Sequence, residues 1–207
     1  MEKVEVKPRK RYESFAEWAR EMMQVWTVPA ARFLTRIGLR PNSATLLGAL
    51  LCVGVSVVLA SGRLALGGAL FALVCTLDVM DGAMARHLGR KSRFGAFLDS
   101  TLDRLSDAAV LGGLAFYFAQ RGATLEVMLA LASMSGSTLV SYTRARAEAL
   151  GFSCKIGIVS RLERIVILTA GLVLGFPTIA LWVLAIGTHL TALQRIIYVY
   201  RQCQRDG

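Results

Sequence analysis

The four cysteines, Cys52, Cys75, Cys154 and Cys203, form no C-x-x-C pair and have no histidine cluster nearby. That spacing argues against a disulfide framework and against a zinc site, and the four are expected to be packing residues. The only two histidines, His87 and His189, stand far apart. His87 is expected to be solvent-exposed in a loop, and His189 to be a hydrogen-bonded packing residue. No apolar core follows the basic N-terminus within the first 25 residues, so a cleavable signal peptide is not expected. There is no internal repeat and no low-complexity segment. Acidic residues are few, 14 against 24 Lys and Arg, for a net charge of +10. Such an excess can mark a nucleic-acid binder. Here the cations sit at the ends of apolar segments rather than along a stripe, so nucleic acid is not the expected partner.

What the chain has in quantity is apolar sequence: 207 residues, 55% of them hydrophobic, with a mean hydropathy of +0.52. A soluble chain of this length would form one domain or two with more polar surface. The apolar runs are long enough to span a bilayer, which predicts an all-α integral membrane protein. Residues 1–11 are charged and aperiodic, and a disordered basic lead is expected there. In 12–40, Phe15, Trp18, Ala19, Met22, Met23 and Trp26 share one helical face opposite Glu13, Glu17, Arg20 and Glu21. Pro29 interrupts, and Ala30, Phe33, Leu34 and Ile37 resume the stripe. This pattern predicts an amphipathic juxtamembrane helix lying in the interface.

Residues 41–207 are expected to form a six-helix transmembrane domain, with spans near 43–62, 64–86, 94–120, 123–147, 157–175 and 177–200. Recurrent small residues, among them Gly48, Gly54, Gly67, Gly68, Gly112, Gly113 and Gly136, would let these helices pack closely. On the side of the short connections only Arg63 and Arg121 are basic. The other side has nine Lys or Arg before residue 41, four in 86–93, five in 144–164 and three from Arg195 onward. Positive residues stay inside, so both termini and the loops at 87–93 and 148–156 are expected in the cytoplasm, with the protein multi-pass in the cell membrane.

The chemistry is concentrated between Asp78 and Asp103. A carboxylate at mid-bilayer costs roughly 2.5–3.5 kcal/mol on insertion scales, so four of them near a membrane call for a cation. Asp78 and Asp81 are three apart, and Gly95, Asp99 and Asp103 are each four apart. Each set therefore shares a helix face. The loop between the two spans is short, so they are expected to be antiparallel neighbours whose carboxylates converge at the cytoplasmic boundary. Hard oxygen ligands suit Mg²⁺ or Mn²⁺, or Ca²⁺, and four carboxylates suffice for two ions, an arrangement used in phosphoryl transfer. Gly82 and Ala85 would allow close backbone approach, and Arg86 offers a fork for phosphate oxygens. On physical grounds alone, a metal- or proton-coupled transporter remains the alternative.

The spacing Asp78-x2-Asp81-Gly82-x2-Ala85-Arg86-x8-Gly95-x3-Asp99-x3-Asp103 resembles the signature of the CDP-alcohol phosphotransferases at every fixed position. The resemblance implies that Asp78, Asp81, Asp99 and Asp103 hold the metals, with Asp103 also the general base. It implies that Gly82, Ala85, Arg86 and Ser92 line the CDP moiety, joined by Asn42 and Thr45 from the segment Pro41-Asn42-Ser43-Ala44-Thr45. Asp107, a turn beyond Asp103, is expected to be a supporting carboxylate. A homodimer is also implied.

Arg144, Arg146, Lys155, Arg161, Arg164 and Arg195 form a second basic cluster, and so many cations suit a phosphorylated acceptor better than a neutral one. Arg195 is the most telling, because it follows Gln194 in an otherwise apolar helix. The runs around Asp78, R-A-R-A-E and S-R-L-E-R are similar to those of family members that make phosphatidylinositol phosphate from CDP-diacylglycerol and inositol phosphate. That likeness implies that Arg144, Arg161 and Arg195 bind the acceptor phosphate, with Arg146 and Arg164 behind them. Glycerol 3-phosphate is the alternative acceptor, and an archaeal ether lipid the alternative to diacyl tails.

Overall fold

A computed structural model describes the backbone of residues 41–87 and 92–206, with side chains except those of 41, 77–87 and 206. The expected interfacial helix and basic lead lie outside the described residues. Those described form six helices: α1 Pro41–Ala60, α2 Leu64–His87, α3 Arg93–Ala119, α4 Thr124–Ala149, α5 Arg161–Val173 and α6 Pro177–Asp206. Pro177 opens α6, where its missing N–H costs no helical bond. Gly62, at φ +88°, makes the left-handed turn between α1 and α2 that a side chain would resist.

Four helices follow the apolar segments to within two residues, α6 runs six residues past its expected end, and α5 is shorter than expected. It begins at Arg161 because Glu163 accepts hydrogen bonds from both the backbone N–H (2.9 Å) and the hydroxyl of Ser160. That capping arrangement starts the helix sharply and leaves residues 150–160 as a docked loop.

The principal helix contacts close a ring in the order α1, α2, α5, α6, α4, α3 and back to α1. Among the described residues α1 packs on both α2 and α3. The α2 side chains from residue 77 on, the ones expected to meet α3, are not among those described. Leu59, Val110, Leu114, Leu172 and Leu181 fill the core.

Close crossings use glycine. A Cβ on Gly113 would stand 2.4 Å from the Ser56 carbonyl oxygen and 2.8 Å from its Cα, so α1 and α3 touch backbone to backbone. Gly136 of α4 instead makes room for the side chains of Thr188 and His189 of α6. Gly54 and Gly112, also expected at crossings, face open space.

Burial runs opposite to that of a soluble bundle. Leu50, Val57, Leu73, Leu125, Ile179 and Ile186 are exposed, while Ser133, Ser137, Thr188, Thr191, Arg164 and Arg195 are buried. In lipid, where tails are as apolar as leucine, this arrangement carries no hydrophobic penalty. Three helices are long and apolar enough to cross a membrane: Asn42–Ala60, Thr124–Ala149 and Pro177–Arg205. α2 offers the shorter apolar stretch Leu64–Thr76. α3 has the length but carries Arg93, Asp99, Asp103, Arg104 and Asp107 in its first turns. With 13 residues, α5 reaches only about 20 Å at 1.5 Å per residue. Six spans of equal standing are thus more than the helices by themselves display.

Gly113→Ala should destabilise the bundle by about 1–3 kcal/mol, since Ser56 backbone cannot yield as a side chain could. Gly112→Ala, one position earlier, should be near neutral. Thermal unfolding in detergent, compared across the pair, checks this.

Candidate active site

α2 stays helical to His87, so Asp78 and Asp81 lie about one turn apart on it, followed by Gly82, Ala85 and Arg86. The side chains of these five and of His87 are outside the described ones. On α3, Asp99 and Asp103 follow Gly95 at four-residue steps along one face. Asp103 Oδ1 is paired with Arg161 Nη2 at 2.7 Å. Among the described residues no three His, Cys, Asp or Glu gather round one point, and two of the four expected ligands belong to α2. The donor set is nonetheless all carboxylate. At Asp103 it already draws a cation, which fits a hard divalent ion.

The CDP-contacting candidates that are described converge. Ser92 is the N-cap of α3, its hydroxyl accepting the Gly95 N–H at 2.8 Å. A Cβ on Gly95 would meet Ser92 Oγ at 2.9 Å and Asn42 Oδ1 at 3.0 Å. Asn42, Ser92 and Gly95 thus meet where α1 and α3 begin, with Thr45 buried one turn along α1. The α3 N-terminus offers unpaired N–H groups and a positive dipole end to an anion.

Beside Asp103 opens a cavity of about 420 Å³. Asp103 and Asp107 of α3, Arg144 of α4, Arg161 and Arg164 of α5 and Arg195 of α6 line it. Arg144 pairs with Glu148 at 2.8 Å, both half-exposed. Arg164 Nη2 meets Asp107 Oδ2 at 3.1 Å, the two side chains only 8% and 14% exposed. Arg195, 5% exposed, donates from Nε to the Ile156 carbonyl at 2.8 Å and from Nη1 to that of Val140. Carbonyls thereby satisfy a charge for which the sequence offered no partner.

Arg146 is exposed and does not line the cavity; two residues beyond Arg144, it is rotated about 200° round the helix. Among the polar lining residues, Ser100, Arg104, Ser141, Glu148 and Ser160 escaped the sequence reading. Arg104 had the same signal as Arg195, a cation inside a helix, and Ser160 had the S-x-x-E pattern. Cys154 is fully buried in the loop behind the cavity. Burial pushes its thiol up while Arg195 and Arg144 oppose the shift, and it acts as a packing group. Cys203, by contrast, is exposed near the end of α6. His189 donates from Nδ1 to Ala185 O at 2.8 Å and packs beside Gly136.

The family model for CDP-alcohol phosphatidyltransferase matches residues 39–193. The chain belongs to the CDP-alcohol phosphatidyltransferase family. A phosphatidylinositol phosphate synthase from Streptomyces avermitilis is 39% identical over 90% of this chain and 82% of the relative. An archaetidylinositol phosphate synthase from Methanothermobacter thermautotrophicus is 42% identical over 81% and 86%. The crystal structure of Mycobacterium tuberculosis phosphatidylinositol phosphate synthase with CDP-DAG bound superposes with a TM-score of 0.79. It is 35% identical, covering 85% of this chain and 94% of that one. The same mycobacterial enzyme has been solved in complex with manganese and citrate, also at a TM-score of 0.79. The family member described here is therefore a transferase of phospholipid biosynthesis with membrane-crossing helices.

Asp107→Ala should destabilise the fold by about 3–5 kcal/mol, because it leaves the buried Arg164 charge without its carboxylate. The double variant Asp107→Leu with Arg164→Met should recover most of that loss. Thermal unfolding of the three proteins measures both effects.

Proposed function

We propose that this enzyme transfers the phosphatidyl group of CDP-diacylglycerol to a hydroxyl of myo-inositol phosphate, releasing CMP. The observation that carries the reading is the cavity, which has Asp103 in one wall and the cations Arg144, Arg161, Arg164 and Arg195 around it. A neutral polyol would not need four guanidinium groups beside its binding site, whereas a phosphomonoester dianion would. The relatives named for inositol phosphate chemistry point the same way.

In this reading Asp78, Asp81, Asp99 and Asp103 hold two Mg²⁺ or Mn²⁺ ions. When bound, such ions neutralise the diphosphate and the charge that develops on the leaving group. Asn42, Thr45, Ser92, Gly82, Ala85 and Arg86 bind the CDP portion. Gly95 has no side chain, which lets the nucleotide end lie against the start of α3. Arg144 and Arg161 take the acceptor phosphate. Arg164, paired with Asp107, and Arg195, held by two carbonyls, add positive potential from behind.

A phosphate drawing Arg161 toward it would release the Asp103 carboxylate from its ion pair. Asp103 then accepts the proton of the attacking hydroxyl, the acceptor oxygen bonds to the β-phosphorus, and the bond between β-phosphorus and the bridging oxygen breaks. CMP departs with that oxygen and the bonding electrons. The same reading takes all six helices into the cell membrane, with the cavity facing the cytoplasm. It also takes the working form to be a homodimer.

Purified protein in detergent with Mg²⁺, CDP-diacylglycerol and labelled inositol phosphate should release CMP, and EDTA should abolish release. CMP appearing only with glycerol 3-phosphate would overturn the acceptor and keep the reaction class. Asp103→Asn should lower kcat by about 10²–10⁴-fold while leaving CDP-lipid binding largely intact. Loss of that binding would make Asp103 chiefly a metal ligand.

A further inference from the structure

Residues 150–160, between α4 and α5, run along α6 in the opposite direction to it and are tied down at three points. Gln202 Nε2 donates to Ser153 O at 2.8 Å. Arg195 Nε donates to Ile156 O at 2.8 Å. Thr191 Oγ1 accepts the Val159 N–H at 3.1 Å and itself donates to Gly187 O at 2.7 Å. Positions 191, 195 and 202 share one face of α6. The fit between loop and helix is close. Gly157 has φ +151°, and a Cβ on it would stand 2.8 Å from Thr191 Cγ2 and 3.2 Å from Arg195 Nη2. A Cβ on Gly187 would stand 2.9 Å from Val159 Cγ2. Within the loop Cys154 and Val159 are buried, and on α6 Thr191 is fully buried.

None of Gly157, Thr191 and Gln202 lines the cavity, yet the loop ends in Ser160 and Arg161, which do. Arg161 is the cation that reaches Asp103. Where the loop lies on α6 therefore sets where α5 begins and where Arg161 stands. Few alternatives hold this join, because the Val159 N–H is buried and Thr191 is the group that satisfies it.

We propose that Thr191, with Gly157 packed on it, is a positioning residue: by docking the 150–160 loop onto α6 it sets the site's affinity for the phosphorylated acceptor. The proposal rests on the cavity being the acceptor site. It concerns residues that touch neither substrate.

The test uses full-length enzyme in detergent, with steady-state kinetics in each substrate and limited trypsin cleavage after the exposed Lys155. Thr191→Val keeps shape and removes the hydroxyl. Its KM for the phosphorylated acceptor should rise about tenfold, while kcat at saturating acceptor and the KM for CDP-diacylglycerol stay within about twofold of wild type. Thr191→Ser, which retains the hydroxyl, should restore the acceptor KM. Cleavage at Lys155 should be faster in the valine variant than in wild type or serine. An unchanged acceptor KM would overturn the proposal, whatever the cleavage rate. So would equal losses in both KM values and kcat, which would make Thr191 a general stability residue. Should the valine variant fail to accumulate, Gln202→Ala at the half-buried end of the strip should show the same split to a smaller degree. Wild-type kinetics and cleavage in Gln202→Ala would then overturn it. If wild-type enzyme released CMP with no phosphorylated acceptor, the reading of the cavity would fall first and this inference with it.

Discussion

A guanidinium cannot be buried among apolar helices unless something accepts its hydrogen bonds, and that constraint shapes the cavity end of this protein. Four of the cavity arginines show how it is met. Arg161 takes Asp103, Arg164 takes Asp107, Arg144 takes Glu148 at the exposed rim, and Arg195 takes two backbone carbonyls. The two aspartates are one turn apart on α3, and the two arginines they meet are three apart on α5. The bundle therefore joins these helices through a ladder of opposite charges. The arrangement both closes the fold and leaves a surplus of positive charge facing the cavity, which is what an anionic acceptor needs.

The ring order of the helices makes this possible. α3 and α5 are far apart in the chain, and α4 and α6 separate them along one side of the ring. Their charged faces meet across the interior rather than along a shared seam, and the space between them becomes the cavity. α1 supports the other side of α3 through the Gly113–Ser56 crossing, which brings Asn42 beside Gly95 and Ser92. One helix, α3, thus sets its first turn beside Asn42 and lines the cavity with its third and fourth turns, the two ends that the proposed function gives to nucleotide and acceptor. That continuity is a physical reason for the fixed spacing from Gly95 to Asp103.

Much of this was legible along the chain. Helix positions followed from apolar runs because a membrane-length helix needs about twenty consecutive apolar residues, a local and countable property. The intervals in Asp78–Asp103 were readable for the same reason, since helical periodicity alone decides that residues four apart share a face. The late start of the fifth helix was missed because Ile158 and Val159 extend the apolar run ahead of Ser160, whereas the Glu163 carboxylate caps the helix at Ser160 and leaves those residues in the loop. Arg146 was grouped with Arg144 because proximity in sequence looked like proximity in space, whereas the helix turns it away. Gly54 and Gly112 resembled packing glycines, yet close contact depends on which face meets a neighbour.

The sequence by itself determined the class of protein, the helical segments, the family signature and the residue types available for metal, nucleotide and phosphate. These depend on composition and on periodicities of a few residues, which no distant contact can alter. Tertiary structure alone decided which arginine faces which aspartate, that Arg195 is held by carbonyls of α4 and the 150–160 loop, and that Thr191 docks that loop. Those pairings join residues 32 to 58 positions apart. They exist only because the ring of helices closes, so no local pattern could have announced them.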